Sequence, residues 1–429
     1  MKTFRVFPND KLKPKVIKCL DNYIFIKNKK VLDFTSGYTC HAILGWGNKR
    51  IINGIKKQLN KFSHVDYKAW TDPNVEKLAN ILTFKTKHGL NKVYFAGNSG
   101  AEACEAAMKM SYQVQRELGY KKKNWFISHE ESYHGSTTDS LSISQRPNLE
   151  FYRPLQPKNR SLIEMHHPLK LKKKNETLDE YSLRSAKNLE KEILRIGPEN
   201  VCAYVGETIM GGLIGDVPPA PNYWKYVRQI CSKYKVHLIL DEVYCGTGTS
   251  GKVYCCDWDN VKPDFIFIGK TLAAGYGALS AVITKKNYED IISKKSGRLQ
   301  HTTTHQAHSL SVAAALEVQK IVSNKIFLKR IEQNGYYMRR LLENELKTHP
   351  FFLNVRGRGY RFSLEYSCKK ANEFGQSLAH EIYENDNILF NIKWHRANFT
   401  PSLVMTKTQI DKSMEIFIKK FKKISKKFN

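Results

Sequence analysis

Glu207, Asp241 and Lys270 are the residues on which chemistry can be built, because each closes a short apolar run. VCAYVGE (201–207) ends on Glu207, VHLIL (236–240) stops at Asp241-Glu242, and DFIFIG (264–269) stops at Lys270. Runs this short, rich in β-branched and aromatic residues and apolar at every position, predict strands buried on both faces of a parallel sheet. Functional groups of such sheets gather at the carboxyl ends of the strands, so an acid on one strand end and a lysine on the next face one pocket. A lysine there can form a Schiff base with an aldehyde cofactor, while a carboxylate held opposite can pair with a protonated ring nitrogen.

Two further stretches suit such a cofactor. In VYFAGNSGAEACEAAMKMSYQV (93–114) a brief strand gives way to Gly97-Asn98-Ser99-Gly100 and then to an alanine-rich helix, with Ser99 and Glu102 in the capping-box relation. The N–H groups and positive dipole end of a helix that begins in a Gly-containing turn suit a phosphate. Tyr133-His134-Gly135 follows a predicted strand at 125–128 and offers an aromatic ring to stack on a flat cofactor. Taken singly, these are an ordinary helix cap and a common polar turn; an aldehyde that also carries a phosphate joins them. Two glycine patterns fail. Gly246, Gly248 and Gly251 satisfy GxGxxG, but the aromatic, acidic KVYCCDWDNVKPD follows where a dinucleotide site needs a helix. GTGTSGKV (246–253) puts Val253 where a P-loop needs a hydroxyl for magnesium.

The elements that must position these groups can be read along the chain. YIFIKNKKVLDF (23–34) predicts two strands about a turn, and SGYTCHAILGWGNKR (36–50) an aromatic loop of the kind that lines pockets. Helical spacing marks 51–59 and 75–82, the segment 158–178 reads as a polar linker, and 179–196 as a charged amphipathic helix ending at Gly197-Pro198. A last amphipathic helix begins near Thr408. With 429 residues and 41% hydrophobic content, a large α/β domain with a smaller one attached is expected. Nine cysteines without a CxxC pair or a zinc spacing point to a reducing compartment and no structural metal. The MKTFRVFPNDKLKPK start lacks an apolar signal core, and no run approaches the roughly 20 residues of a membrane span, so a soluble, cytoplasmic protein is expected. The formal charge of +30 comes mostly from scattered lysines, without a nucleic-acid-binding pattern. The dense patches LKLKKK (169–174) and IKKFKKISKK (418–427) read as solvated faces, the first in a polar loop.

NSGAEACEAAMK, SYHG, Asp241-Glu242-Val243, PDFIFIGKTLAAGYGALSAVI and HTTTHQAHSLSVAAALEV together resemble the class III (ω-type) aminotransferases, which belong to fold type I of the pyridoxal 5'-phosphate (PLP) enzymes. The resemblance implies that Lys270 bonds the cofactor aldehyde and shuttles a proton, and that Asp241 keeps the pyridine nitrogen protonated. Val243 would pack on one ring face and Tyr133 on the other, with Glu207 beside the ring hydroxyl. Ser99, Gly100 and Ala101 would bind the phosphate. Thr304 matches a threonine that reaches the neighbouring subunit's cofactor, which implies a homodimer with shared active sites. Arg396 is a candidate for gripping a substrate carboxylate, and Tyr38 and Trp46 for shaping the pocket.

The fold expected is α/β: a large domain (63–305) with a central, mostly parallel sheet flanked by helices, plus a smaller α+β domain built from both chain ends (1–62 and 306–429). The activity expected is transfer of an amino group from an amine or ω/β-amino acid to a keto acid by a ping-pong mechanism, with no metal. An aminomutase, epimerase or decarboxylase of the same fold would use the same lysine and acid, and a basic non-catalytic protein is the reading outside catalysis. Four departures from the family pattern bear on substrate: Thr208 for a usual Pro, Tyr244 for a frequent Gln, Thr249 for a usual Arg, and Thr400-Pro401 for Pro-Pro.

Overall fold

The central sheet has seven strands, in the order Lys92–Gly97, Ser280–Thr284, Phe265–Ile268, His237–Asp241, Val201–Glu207, Trp125–His129 and Arg160–Ile163. The structure is a computed structural model that describes residues 13–84, 86, 88–146 and 150–428, together with 4, 6, 7 and 9. Ser280–Thr284 runs antiparallel to both of its neighbours, and the other six strands point one way. Their carboxyl ends therefore share one edge of the sheet. The three runs singled out in the sequence are buried at every position because helices cover both faces.

The helix Gly100–Glu117 lies on this sheet and touches five of its strands. Ala103, Cys104, Ala106 and Ala107 form its buried face, and side chains this small let the helix axis approach the strands closely. Its start is fixed by the expected capping box between Ser99 and Glu102.

Both chain ends build the rest. Val16–Leu20, Tyr23–Ile26 and Lys29–Asp33 form a meander whose last strand pairs in parallel with Ile388–Leu389. A second four-stranded sheet joins Phe352–Arg358, Arg361–Tyr366, Arg396–Phe399 and Asn391–Lys393. The helices Lys325–Leu346, Ala371–Asp386 and Lys407–Ser425 pack with it, on a cluster of aromatic rings that includes Phe374, Phe417 and Phe421. Among the described residues no helix is long and apolar enough to cross a membrane.

Two expectations need correction. The segment 158–178 is not a linker: Arg160–Ile163 is the edge strand of the central sheet, and Pro168–Leu171 is a short helix. The strand escapes a hydrophobic pattern because it has one neighbour and begins Arg-Ser; Arg160 pairs with Asp139 at 2.8 Å and covers the Phe126 ring. Nor is the LKLKKK patch wholly a solvated loop, since Lys170 reaches the buried Glu365 at 3.2 Å.

Candidate active site

Parallel pairing sets Glu207 directly beside Asp241, and Asp241 beside Phe267 on the next strand. Lys270 follows two residues after that strand ends. Its backbone has φ +34°, a left-handed conformation that costs a non-glycine residue about 1–3 kcal/mol and is found where function requires it. The Lys270 side chain is exposed into a cavity rather than sealed by protein, and its ammonium lies 5.5 Å from the centroid of the Tyr244 ring.

That cavity has a volume of about 540 Å³, within the usual range for a small-ligand site. Glu207, Asp241, Val243 and Lys270 line it from the strand ends, Ser99, Gly100 and Ala101 from the helix start, and Tyr133 from the turn after Trp125–His129. Two glycines allow these elements to meet. A β-carbon on Gly100 would fall 2.8 Å from both methyls of Val243. One on Gly135, whose φ is +143°, would fall 2.5 Å from the Ala101 β-carbon. The aromatic turn is thereby seated against the first turn of the helix.

Asp241 is fixed by two partners. Its Oδ1 accepts from the Val243 N–H at 2.9 Å, and its Oδ2 lies 2.8 Å from Nδ1 of the buried His134. The other nitrogen of His134 lies 3.0 Å from the Ser128 hydroxyl. With Asp241 ionised, the imidazole donates from Nδ1 and accepts from Ser128, so tautomer and orientation are set together. Sequence reasoning missed this role of His134; the one signal was its place beside Tyr133 in the same turn.

Glu207 differs from its neighbour. Burial, reinforced by the charge of Asp241, pushes its carboxyl well above the ordinary range. Its Oε2 is buried and has no hydrogen-bond partner in the protein.

Four residues lie elsewhere. Thr304 is exposed and does not line the cavity of its own chain; its carbonyl lies 3.2 Å from Nε2 of His64. Arg396 is buried against the Leu213 carbonyl, to which its guanidinium donates, and does not line the cavity. Tyr38 is half exposed with the Lys393 ammonium over its ring, and neither it nor Trp46 lines the cavity. Tyr244 does, and a fully buried arginine, Arg361, places its guanidinium 4.3 Å from the centre of that ring. A larger cleft of about 960 Å³, bordered by Lys92, Lys109 and Arg298, contains none of the three strand-end groups. Chemistry rather than size identifies the site.

The residues present fit PLP. Gly100 and Ala101 come too early in their helix to find a carbonyl four residues back, so their N–H groups are open to a phosphate. The unpartnered Glu207 oxygen suits a ring hydroxyl, Asp241 retains lone pairs for a protonated ring nitrogen, and Lys270 supplies the amine.

Comparison with known proteins shows the family by sequence and the fold by structure. The family model for aminotransferase class-III matches residues 16–421. Gamma aminobutyrate transaminase 2 of Solanum lycopersicum is 30% identical, over 96% of this chain and 92% of the relative. Vanillin aminotransferase of Capsicum chinense is 30% identical, over 97% and 93%. The crystal structure of the omega transaminase from Pseudomonas jessenii in complex with PMP shares the fold, with a TM-score of 0.91 at 24% identity, over 99% of this chain and 97% of that one.

Proposed function

We propose, from the premise that the chain belongs to the class-III aminotransferases, that its donor is an amine or an ω/β-amino acid and that the strand-end cavity is where the transfer occurs. The enzyme is a PLP-dependent aminotransferase, and its reaction has two halves: the donor gives up its amino group and leaves before the keto acid arrives. When bound, PLP supplies an aldehyde carbon that exchanges amines and a ring that accepts electrons.

The chain's own residues divide the remaining work. Lys270 holds the aldehyde end and, once released, moves a proton at its Nζ. Asp241, oriented by His134, presents a fixed negative charge to the ring nitrogen, and this preorganised charge needs no rearrangement during reaction. Glu207 would meet the ring hydroxyl with its unpartnered Oε2. Val243 and Tyr133 would flank the ring, and the Ser99-Gly100-Ala101 helix start would hold the phosphate.

The donor class is supported by the cavity wall. Among the described residues no arginine lines the cavity, and the aromatic Tyr244 covers Arg361, so the wall favours a donor without an α-carboxylate. The donor named for one plant relative, gamma aminobutyrate, carries its amine away from the carboxylate and so agrees. Thr304, exposed on each chain, is available to reach the cofactor phosphate of a second copy, and we place the working enzyme as a homodimer on that basis. The division at 62/63 and 305/306 keeps every strand of the central sheet in one unit. The cysteine pattern favours a cytoplasmic, reducing location.

The observation that carries the proposal is the meeting of a lysine, a histidine-held carboxylate and an open helix start around one cavity. Lys270→Ala tests it: the purified variant is expected to fold, to lose the yellow absorbance of the lysine-bound cofactor, and to lose turnover. Unchanged turnover would end the proposal. A donor screen with pyruvate or 2-oxoglutarate as acceptor then ranks simple amines against ω-amino acids and α-amino acids.

A further inference from the structure

Away from the catalytic cavity, three side chains from distant parts of the chain meet in the interior. His88 lies in the turn that precedes the strand Lys92–Gly97, while Cys256 and Asp257 belong to the single turn Cys255–Trp258. One ligand atom from each of the three falls within 4.8 Å of the others, and His88 Nε2 is 2.8 Å from Asp257 Oδ1 across 169 residues of sequence. None of the three lines the catalytic cavity.

We propose that His88, Cys256 and Asp257 form a second binding site, for a divalent cation of the zinc class. Nitrogen, sulfur and oxygen ligands at about 2.0–2.3 Å from a tetrahedral ion stand roughly 3.3–3.6 Å apart, so side-chain shifts of about 1–1.5 Å would bring the groups to what the ion needs. The set is chemically selective: imidazole and thiolate favour Zn²⁺ or Co²⁺ over Mg²⁺ or Ca²⁺. Thiolate, carboxylate and neutral imidazole also balance a divalent charge, which matters in a corner that is nearly dry. The side chains of His88 and Asp257 are 0% and 12% exposed, and Cys256 is fully buried.

The electrostatics of this corner call for a cation. Its neighbour Asp259 is matched, with Arg358 on both oxygens at 2.6 and 2.9 Å. Asp257 and the nearby buried Glu242 have no lysine or arginine partner among the described residues. Nδ1 of His88 is buried with no hydrogen-bond partner, so the imidazole's protein partner is the same carboxylate that would share the ion. The remaining exposure of Asp257 gives water access to a fourth coordination position, so the ion is exchangeable rather than locked in. Its effect is mechanical. It ties the turn before Lys92–Gly97 to the turn whose Cys255 and Cys256 N–H groups hold Glu242, the residue next to Asp241.

The test uses the PLP-loaded enzyme after dialysis against a chelator. Addition of Zn²⁺ is expected to load one ion per chain and to raise the unfolding temperature, and Co²⁺ is expected to give the absorption of a cobalt–thiolate bond. Cys256→Ser should remove the thiolate absorption, His88→Gln should abolish binding, and Cys19→Ser, on the outer meander, should change neither. No stoichiometric uptake by the native enzyme, Co²⁺ bound without a thiolate signature, or uptake unchanged in His88→Gln would each overturn the proposal. The cobalt spectrum of the native chain decides the matter even where a variant fails to fold.

Discussion

Gly135→Ala should damage the cofactor site more than any glycine replacement of equal backbone strain elsewhere. At φ +143° an alanine is strained by about 1–3 kcal/mol whatever surrounds it. Here its methyl would also stand 2.5 Å from the Ala101 β-carbon and 2.5 Å from the Ser140 hydroxyl, distances that force the turn and the helix start apart. Overpacking of that kind adds about 1–3 kcal/mol. Gly119→Ala is the matched control, with φ +94° and nothing within 4 Å of the new methyl. The difference between the two variants in urea unfolding of the apo forms should therefore be about 1–3 kcal/mol. Cofactor binding should separate them further, because Ala101 and Tyr133 sit on the two elements that the methyl pushes apart. A PLP titration followed by absorbance is expected to show at least about tenfold weaker binding for Gly135→Ala, equivalent to 1.4 kcal/mol. Equal affinity in the two variants would refute the idea that the aromatic turn must rest on the helix start.

Three other outcomes follow from particular contacts. His134→Phe leaves Asp241 Oδ2 without its partner, and the loss of about 1.4–2.7 kcal/mol of orienting hydrogen bond should lower kcat/KM by about 10- to 100-fold, with partial rescue by His134→Asn; a phenylalanine variant with native kcat/KM would show the contact to be incidental. His237 is pushed down to about 4, chiefly by burial, so it stabilises the fold fully above pH 6.5 and loses that contribution as the pH falls toward 4. The stability gap between wild type and His237→Gln should accordingly shrink by about 2 kcal/mol between pH 7.5 and pH 5, and denaturant curves showing a constant gap would contradict the assignment. Tyr244→Ala uncovers Arg361, so activity with carboxylate-bearing donors should rise relative to simple amines, and an unchanged ratio in the donor screen would remove Tyr244 from the specificity argument.

The parts of this molecule that can be read from its sequence are those whose environment is the same on every side. Val201–Glu207, His237–Asp241 and Phe265–Ile268 are legible because burial on both faces makes every residue apolar. The helix start at Ser99 is legible because its cap is local. Arg160–Ile163 is not, since an edge strand can keep polar residues and still pair. The link between His134 and Asp241 spans 107 residues and exists only because the sheet order brings Trp125–His129 and His237–Asp241 to either side of one strand. His88 and Asp257 meet for a similar reason, which no ligand spacing along the chain could reveal. Arg396 shows the limit of residue type: proximity to FTPSL suggests a carboxylate grip, while the strand Arg396–Phe399 sets its guanidinium on the Leu213 carbonyl, a contact that no local pattern reveals.

Two of the departures from the family pattern, Thr208 and Thr249, make bonds in the scaffold around the pocket. Thr208 replaces a usual proline, and its N–H donates to the Asp241 carbonyl at 3.3 Å, a bond that proline cannot make. Its hydroxyl donates to Glu242 at 3.2 Å, whose carboxylate also accepts from the Cys255 and Cys256 N–H groups. One residue, through its backbone N–H and its hydroxyl, thus joins the two acid-bearing strands to the turn behind them. Thr249 stands for a usual arginine and folds back on its own turn, donating to the Gly246 carbonyl at 3.0 Å, while its own carbonyl accepts from the Tyr360 N–H at 2.9 Å. That last bond anchors the glycine-rich turn to the loop that leads into Arg361. Tyr244, six residues upstream of Ser250, is then held between that turn and the guanidinium beneath its ring. The Tyr244 ring makes none of the contacts that hold Asp241, so replacing it alone should change donor preference without loosening the grip on Asp241.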